Sequence, residues 1–183
     1  MFIWTLHEAK SAHEAKSAAR PDCGLMTAGL SDSPVGGASA ALLLARGICR
    51  TLDQLAYASL TEFPLANGQR ADILALGKTG DLVIIEIKSS VADFRADRKW
   101  TGYREFADRL YFAVPNEFPA ILIPEECGLM VADAFGAALL RDGITTALPA
   151  ARRRAMTLRF ARTAAARLRR QLDPQAALLG EAW

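Results

Sequence analysis

Arg70-Ala71-Asp72-Ile73-Leu74-Ala75-Leu76 is followed by Gly77-Lys78-Thr79-Gly80, and then by Asp81-Leu82-Val83-Ile84-Ile85-Glu86-Ile87-Lys88. Two apolar runs of strand length joined by four turn-forming residues predict a β-hairpin. Side chains alternate along a strand, so Leu82, Ile84, Glu86 and Lys88 share one face while Val83, Ile85 and Ile87 share the other. An apolar strand thus ends in an acid and a base side by side, a pair that is costly to bury without partners. The hairpin brings Asp72 beside Glu86. Two carboxylates and a lysine converge, and this is either a structural ion-pair cluster at a strand end or a site.

As a site, the trio suits phosphodiester hydrolysis. Hard oxygen ligands from Asp72 and Glu86, with the backbone carbonyl of Ile87, can hold Mg²⁺ against a phosphate. Lys88 can orient or deprotonate the attacking water, or neutralise developing charge. Gly77-Lys78-Thr79 is not a nucleotide-binding P-loop. That motif needs a glycine where Asp72 stands, and a helix where a hairpin turn follows.

Outward from the hairpin, Leu42, Leu43, Ile48, Leu52, Leu55 and Tyr57 recur at helical spacing between Ala38 and Ser59, with Arg46, Arg50 and Asp53 on an exposed face. A strand over Leu60 to Leu65 follows, closed by the turn signal Asn67-Gly68. Beyond the hairpin, a helix is expected from about Asp93 to Leu110 and a strand over Tyr111 to Val114, stopped by Pro115. Leu129 to Ala132 reads as a strand, Ala137 to Leu140 is ambiguous, and Ala151 to Leu172 is a last helix ended by Asp173-Pro174. This order of elements is α/β or α+β rather than a helix bundle.

The chain has 183 residues and a net charge of +2, with a hydrophobic fraction of 51%, which fits one ordinary domain. Its longest unbroken apolar run, Ala40 to Ala45, is far short of the roughly 20 residues that cross a bilayer, so membrane and secreted readings fall away. Cys23, Cys49 and Cys127 show no CxxC spacing, and a reducing cytoplasm fits best. Residues 1–36 contain a duplicated His-Glu-Ala-Lys-Ser-Ala, at 7–12 and 13–18, before a Gly/Ser/Pro-rich passage. They are expected to form a flexible tail, with a domain over 37–174 and a C-terminal tail over 175–183. Both histidines, His7 and His13, fall in that first tail, so histidine-based nucleophilic catalysis is disfavoured.

The modest net charge hides an asymmetry. Arg152, Arg153, Arg154, Arg159, Arg162, Arg167, Arg169 and Arg170 give the last helix +8 with no acid from Ala151 to Leu172, which leaves −6 for the rest. A phosphate-binding surface beside an acidic metal site has this distribution; a solvated basic face or a contact with an acidic partner would have it too. Met156, Phe160, Ala164, Leu168 and Leu172 run at i+4 and can dock this helix on the sheet.

Arg70-Ala71-Asp72 with Val83-Ile84-Ile85-Glu86-Ile87-Lys88-Ser89-Ser90 resembles the core motif of the PD-(D/E)XK nuclease superfamily. Continued by Asp93-Phe94-Arg95-Ala96-Asp97-Arg98-Lys99-Trp100, Tyr103, and Asp108 through Pro115, the string is similar to the bacterial MmcB-like group of DNA-repair-associated proteins. The likeness spans roughly Val35 to Leu172. The proline that names the superfamily is Ala71 here, a position that supplies no ligand. The resemblance implies a PD-(D/E)XK core, a restriction-endonuclease-like α/β domain with a central mixed sheet flanked by helices. It also implies Mg²⁺ dependence with Mn²⁺ as a substitute, a nucleic-acid substrate and a role in DNA repair.

The catalytic assignment is then Asp72, Glu86 and Lys88, with Asp72, Glu86 and the Ile87 carbonyl as metal ligands. Lys99 and Tyr103, four apart on the expected second helix, share a face that could touch phosphate, against a solvated lysine and a core-edge tyrosine. Glu62 could reach the metal as an extra acid does in some relatives, against a surface glutamate. Trp100 could stack on a base, though packing is the commoner role. Arg152, Arg153, Arg154, Arg159 and Arg162 are the expected DNA contacts. The reading leans to a metal-dependent deoxyribonuclease in bacterial DNA repair, with DNA and other repair proteins as partners and a homodimer left open. The alternative is a non-catalytic DNA-binding or repair-complex module that keeps the fold, and a nuclease acting on RNA is weaker still.

Overall fold

A computed structural model describes residues 37–97 and 99–175. The expected N-terminal tail and all of the expected C-terminal tail except Gln175 lie outside the described residues. One six-stranded sheet organises the chain: β1 (Ala58–Pro64), β2 (Arg70–Leu76), β3 (Leu82–Ile87), β4 (Arg109–Val114), β5 (Gly128–Ala132) and β6 (Ala137–Arg141), in spatial order β1-β2-β3-β4-β5-β6. The β3–β4 and β4–β5 pairs are parallel and the others antiparallel. The expected hairpin is present, and Ala137 to Leu140 resolves as a strand.

Each face of β3 packs as its alternation dictates. On one side Val83, Ile85 and Ile87 meet Leu44, Ile48 and Leu52 of α1 (Gly37–Gln54). On the other, Leu82 and Ile84 join Phe112, Tyr103, Phe106 and the Met156 and Phe160 side chains of α3 (Ala150–Leu172). Burying one such aliphatic side chain stabilises the fold by about 1.5–3 kcal/mol. The α1 helix also lies close against the β5–β6 turn. A Cβ at Gly47 would run into the carbonyl oxygens of Asp133 and Gly136, so only glycine permits this approach.

Three expectations are corrected. First, α1 stops at Gln54 rather than Ser59, and β1 starts at Ala58 rather than Leu60. The helix closes with Tyr57 N–H on the Leu52 carbonyl, Ala56 N–H on that of Asp53, and Ala56 in the left-handed region at φ 61°. This is a Schellman cap built on alanine instead of glycine. Second, the helix expected over Asp93 to Leu110 is two short pieces, α2 (Val91–Ala96) and a 3₁₀ turn (Trp100–Glu105). The chain leaves the helix at Asp97, whose backbone is extended (φ −90°, ψ 117°). Third, the apolar stripe of α3 docks only at its N-terminal half: Met156 and Phe160 are buried, whereas Leu168 and Leu172 are 55% and 77% exposed. Among the described residues, no helix is long and apolar enough to cross a membrane.

Candidate metal-dependent active site

The β2–β3 ladder places Asp72 opposite Glu86, one step beyond the paired Ile73 and Ile85. Here the ladder gives way to side chains: the Asp72 Oδ2 accepts the Ile87 N–H at 2.8 Å. Glu86 and Lys88, on the face that alternation predicts, are 5% and 4% exposed. Lys88 Nζ donates to Glu86 Oε1 at 3.1 Å and to Asp97 Oδ2 at 2.6 Å. Asp97 Oδ1 in turn accepts the Lys99 N–H at 2.7 Å. The Ser90 hydroxyl accepts the Asp93 N–H at 3.1 Å and caps α2, the short helix that delivers Asp97 to the lysine.

Glu86 Oε2 is buried and has no hydrogen-bond partner. Such an orphaned oxygen is rare in a folded protein, and an ordered water or a cation would satisfy it. Burial pushes the Glu86 carboxyl up to about 8, and the neighbouring Asp72 charge adds to the effect against the opposing pull of Lys88. Asp72 is raised as well, by burial, with the Ile87 N–H and Lys88 opposing. For Lys88, burial acts downward, but the Asp97 hydrogen bond and the Glu86 charge prevail and the ammonium is held above its ordinary range. Burial would raise Asp97; its bonds to Lys88 and to the Lys99 N–H outweigh that and lower it.

A divalent cation fits this donor set. Among the described residues, no three or more Asp, Glu, His or Cys side chains gather in metal-binding geometry, so two carboxylates must suffice. Mg²⁺ is commonly held in that way, by one or two carboxylates with water and substrate phosphate completing the shell.

The trio opens into a cavity of about 1150 Å³. Glu62, Ile87, Lys99 and Tyr103 line it as well, so the expected accessory residues are brought together around the site. Their details differ from the helical picture. Lys99 precedes the 3₁₀ turn and is exposed, while Tyr103 lies within that turn, buried, with its hydroxyl donating to the Arg70 carbonyl at 3.1 Å. Glu62 has a left-handed backbone (φ 49°) and pairs with Arg70 at 2.6 Å. Trp100 packs edge-on against Phe112, with ring centroids 5.8 Å apart, and carries the Arg104 guanidinium over its ring. It is a packing residue.

The α3 arginines divide. Arg153 makes two hydrogen bonds to buried Asp108, at 2.6 and 2.7 Å, and Arg152 pairs with Glu105 at 3.6 Å. These two stand by the start of β3, since Asp108 also accepts the Leu82 N–H, whereas Asp72 and Glu86 stand at its other end, roughly 13 Å away along the strand. Arg167, by contrast, donates to the Thr61 and Glu62 carbonyls beside the cavity. No α3 residue lines the cavity itself.

Three residues escaped the sequence reading. Arg46 and Arg50 of α1, read there as a solvated face, line the cavity; their i,i+4 spacing, which sets them on one face of the helix, is the available signal. Asp97 carries no signal of its own beyond its place in the family string. The Ser90-x-x-Asp93 start signal could have shown that a short helix intervenes between Lys88 and Asp97.

A family model for DNA repair protein MmcB-like matches residues 30–175. The chain belongs to the MmcB-like family. No curated protein matches this MmcB-like chain. It is similar to a solved structure, a protein of unknown function from Silicibacter pomeroyi, at 44% identity and a TM-score of 0.72, covering 76% of this chain and 94% of that one.

Proposed function

We propose that this MmcB-like protein is a metal-dependent deoxyribonuclease with a PD-(D/E)XK-type core, acting in DNA repair. The observation that carries the reading is the orphaned Glu86 Oε2, set opposite Asp72 and beside Lys88 in a cavity. Asp72, Glu86 and the Ile87 carbonyl would hold Mg²⁺, with Mn²⁺ as a substitute. The bound cation supplies Lewis-acid polarisation of the phosphate and a more acidic water.

The chain's own residues do the rest. Lys88, held as an ammonium by Asp97 and Glu86, orients the attacking water and offsets charge developing on the phosphoryl oxygens. Asp97 holds Lys88 in that state and position. Lys99, Arg46 and Arg50 bring positive charge to the cavity wall, where a phosphate backbone would run, and Tyr103 fixes the wall by its bond to Arg70. Arg154, Arg159 and Arg162 extend the basic surface along α3, whereas Arg153 is withdrawn from it by Asp108.

The test is incubation of the protein with labelled single-stranded, duplex, nicked and branched DNA, with and without Mg²⁺ or Mn²⁺, beside Lys88→Ala. Metal-dependent cutting that vanishes in the variant is expected. Tight, salt-sensitive binding without cutting of any form would instead assign a non-catalytic DNA-binding module, and cutting of RNA alone would replace the substrate.

A further inference from the structure

Among the described residues, Phe135 is the one exposed large aromatic side chain, at 78% exposure. It sits at the tip of the β5–β6 turn, and that turn is tightly held. Asp133 Oδ1 accepts the N–H groups of Phe135 and Gly136 at 2.7 and 2.9 Å, and the Asp133 N–H reaches the Gly136 carbonyl at 3.0 Å. The turn is also fastened to α1. Arg50 donates to the Ala134 carbonyl at 3.0 Å, Thr51 Oγ1 accepts the Ala137 N–H at 2.8 Å, and Gly47 permits the close approach. An apolar ring is thus kept in water on a rigid support, one residue from the carbonyl that holds an arginine of the cavity wall.

A packing role does not account for that placement, because the ring is not packed. Nucleobase stacking does. It requires a flat apolar face held in advance, with cations nearby for the flanking phosphates, and it is indifferent to base identity. Arg46 and Arg50 supply the cations. A guanidinium has five donors, so the bond from Arg50 to Ala134 leaves others for phosphate.

We propose that Phe135 is a stacking platform for an unpaired nucleobase, so that the DNA bound here carries single-stranded nucleotides whose backbone crosses Arg50 and Arg46 into the cavity. This rests on the nucleic-acid part of the function proposed above and names its substrate class.

The experiment is fluorescence anisotropy of labelled single-stranded, tailed and blunt duplex DNA in excess chelator, so that binding is read without cleavage. The unsubstituted protein is compared with Phe135→Ala, Phe135→Leu and Phe135→Tyr. The Ala and Leu variants should lose about 5- to 100-fold in affinity for single-stranded and tailed DNA, and Tyr should retain it. On blunt duplex all should agree within about twofold, with one salt slope, because phosphate contacts are untouched. Since Leu keeps apolar bulk and Tyr keeps the ring, that pair decides the matter even where Ala lowers stability. Unchanged single-strand affinity, an equal loss on blunt duplex, or a Tyr variant as weak as Leu overturns the inference. Absence of binding to every DNA form overturns it together with the DNA reading. A protein that shows the expected pattern yet cuts nothing keeps the inference and loses only the nuclease assignment.

Discussion

The two ends of β3 each bury a carboxylate, and they treat it in opposite ways. At the start, Asp108 is 4% exposed and both its oxygens are fully used, by the N–H groups of Leu82 and Leu148 and by two from Arg153. Burial alone would raise its pKa, but these bonds hold the carboxyl below its ordinary range. At the end, Glu86 is 5% exposed, has one bond to Lys88, and is pushed up to about 8. Depth is the same; the supply of donors differs. A buried acid whose lone pairs are all met is part of the scaffold, and one left half-met on the wall of a cavity is poised to take something else.

The largest expected contrast is catalytic. Asp72→Asn and Lys88→Ala should each lower metal-dependent cleavage by at least about 10²- to 10³-fold, and Asp72→Asn, which keeps an acceptor for the Ile87 N–H, should move the melting temperature little. Retained activity in either would place the chemistry elsewhere. At the other end the sign reverses. Arg153→Ala leaves a buried charge short of two partners and should cost about 3 kcal/mol in urea unfolding, with cleavage per folded molecule unchanged. An equal stability loss from Asp72→Asn would erase the distinction between the two ends.

A subtler contrast lies in pH. With a folded-state value near 8 against an ordinary value of 4.5, Glu86 binds a proton in the native protein that the unfolded chain has released. The metal-free protein therefore loses stability from this group as pH rises from about 4.5 to 8. A cation that needs the carboxylate binds better as the proton leaves, so the rise in melting temperature caused by Mg²⁺ should be greater at pH 8.5 than at pH 6. Glu86→Gln should abolish both trends in thermal melts, and Asp108→Asn should leave them. The smallest expected effect is that of Arg154→Ala, whose exposed side chain should change stability by less than about 0.5 kcal/mol yet reduce the salt slope of DNA binding by about one. An unchanged slope would show that this part of α3 does not touch phosphate.

The half-open end was the legible one. Asp72, Glu86 and Lys88 belong to one hairpin, and period-two alternation with a glycine-bounded turn is a local signal that tertiary context did not override. The partners at the closed end come from far apart in the chain: Asp108 and Arg153 are 45 residues apart, and nothing in the run Arg152-Arg153-Arg154 distinguishes the middle arginine. Composition alone therefore points all three towards DNA. The expected helix from Asp93 to Leu110 failed for a related reason. Its spacing is helical, but Asp97 is drawn out of the helix by Lys88 and the Lys99 N–H, contacts that no periodicity encodes. The end of α1 was hidden because alanine, not glycine, takes the left-handed cap position. Arg46 and Arg50 were visible as an exposed face, but what they face depends on how α1 lies across the sheet.

The left-handed backbone at Glu62 bears on how the protein keeps to itself. β1 is a border strand of the sheet, the kind of open margin on which another chain can add a strand. The kink at Glu62 interrupts it, Pro64 offers no N–H, and Arg167 already occupies the Thr61 and Glu62 carbonyls. A stray β-segment meets a bent and partly capped margin there, so the sheet is protected from edge-to-edge aggregation on the side next to the cavity that holds Glu86.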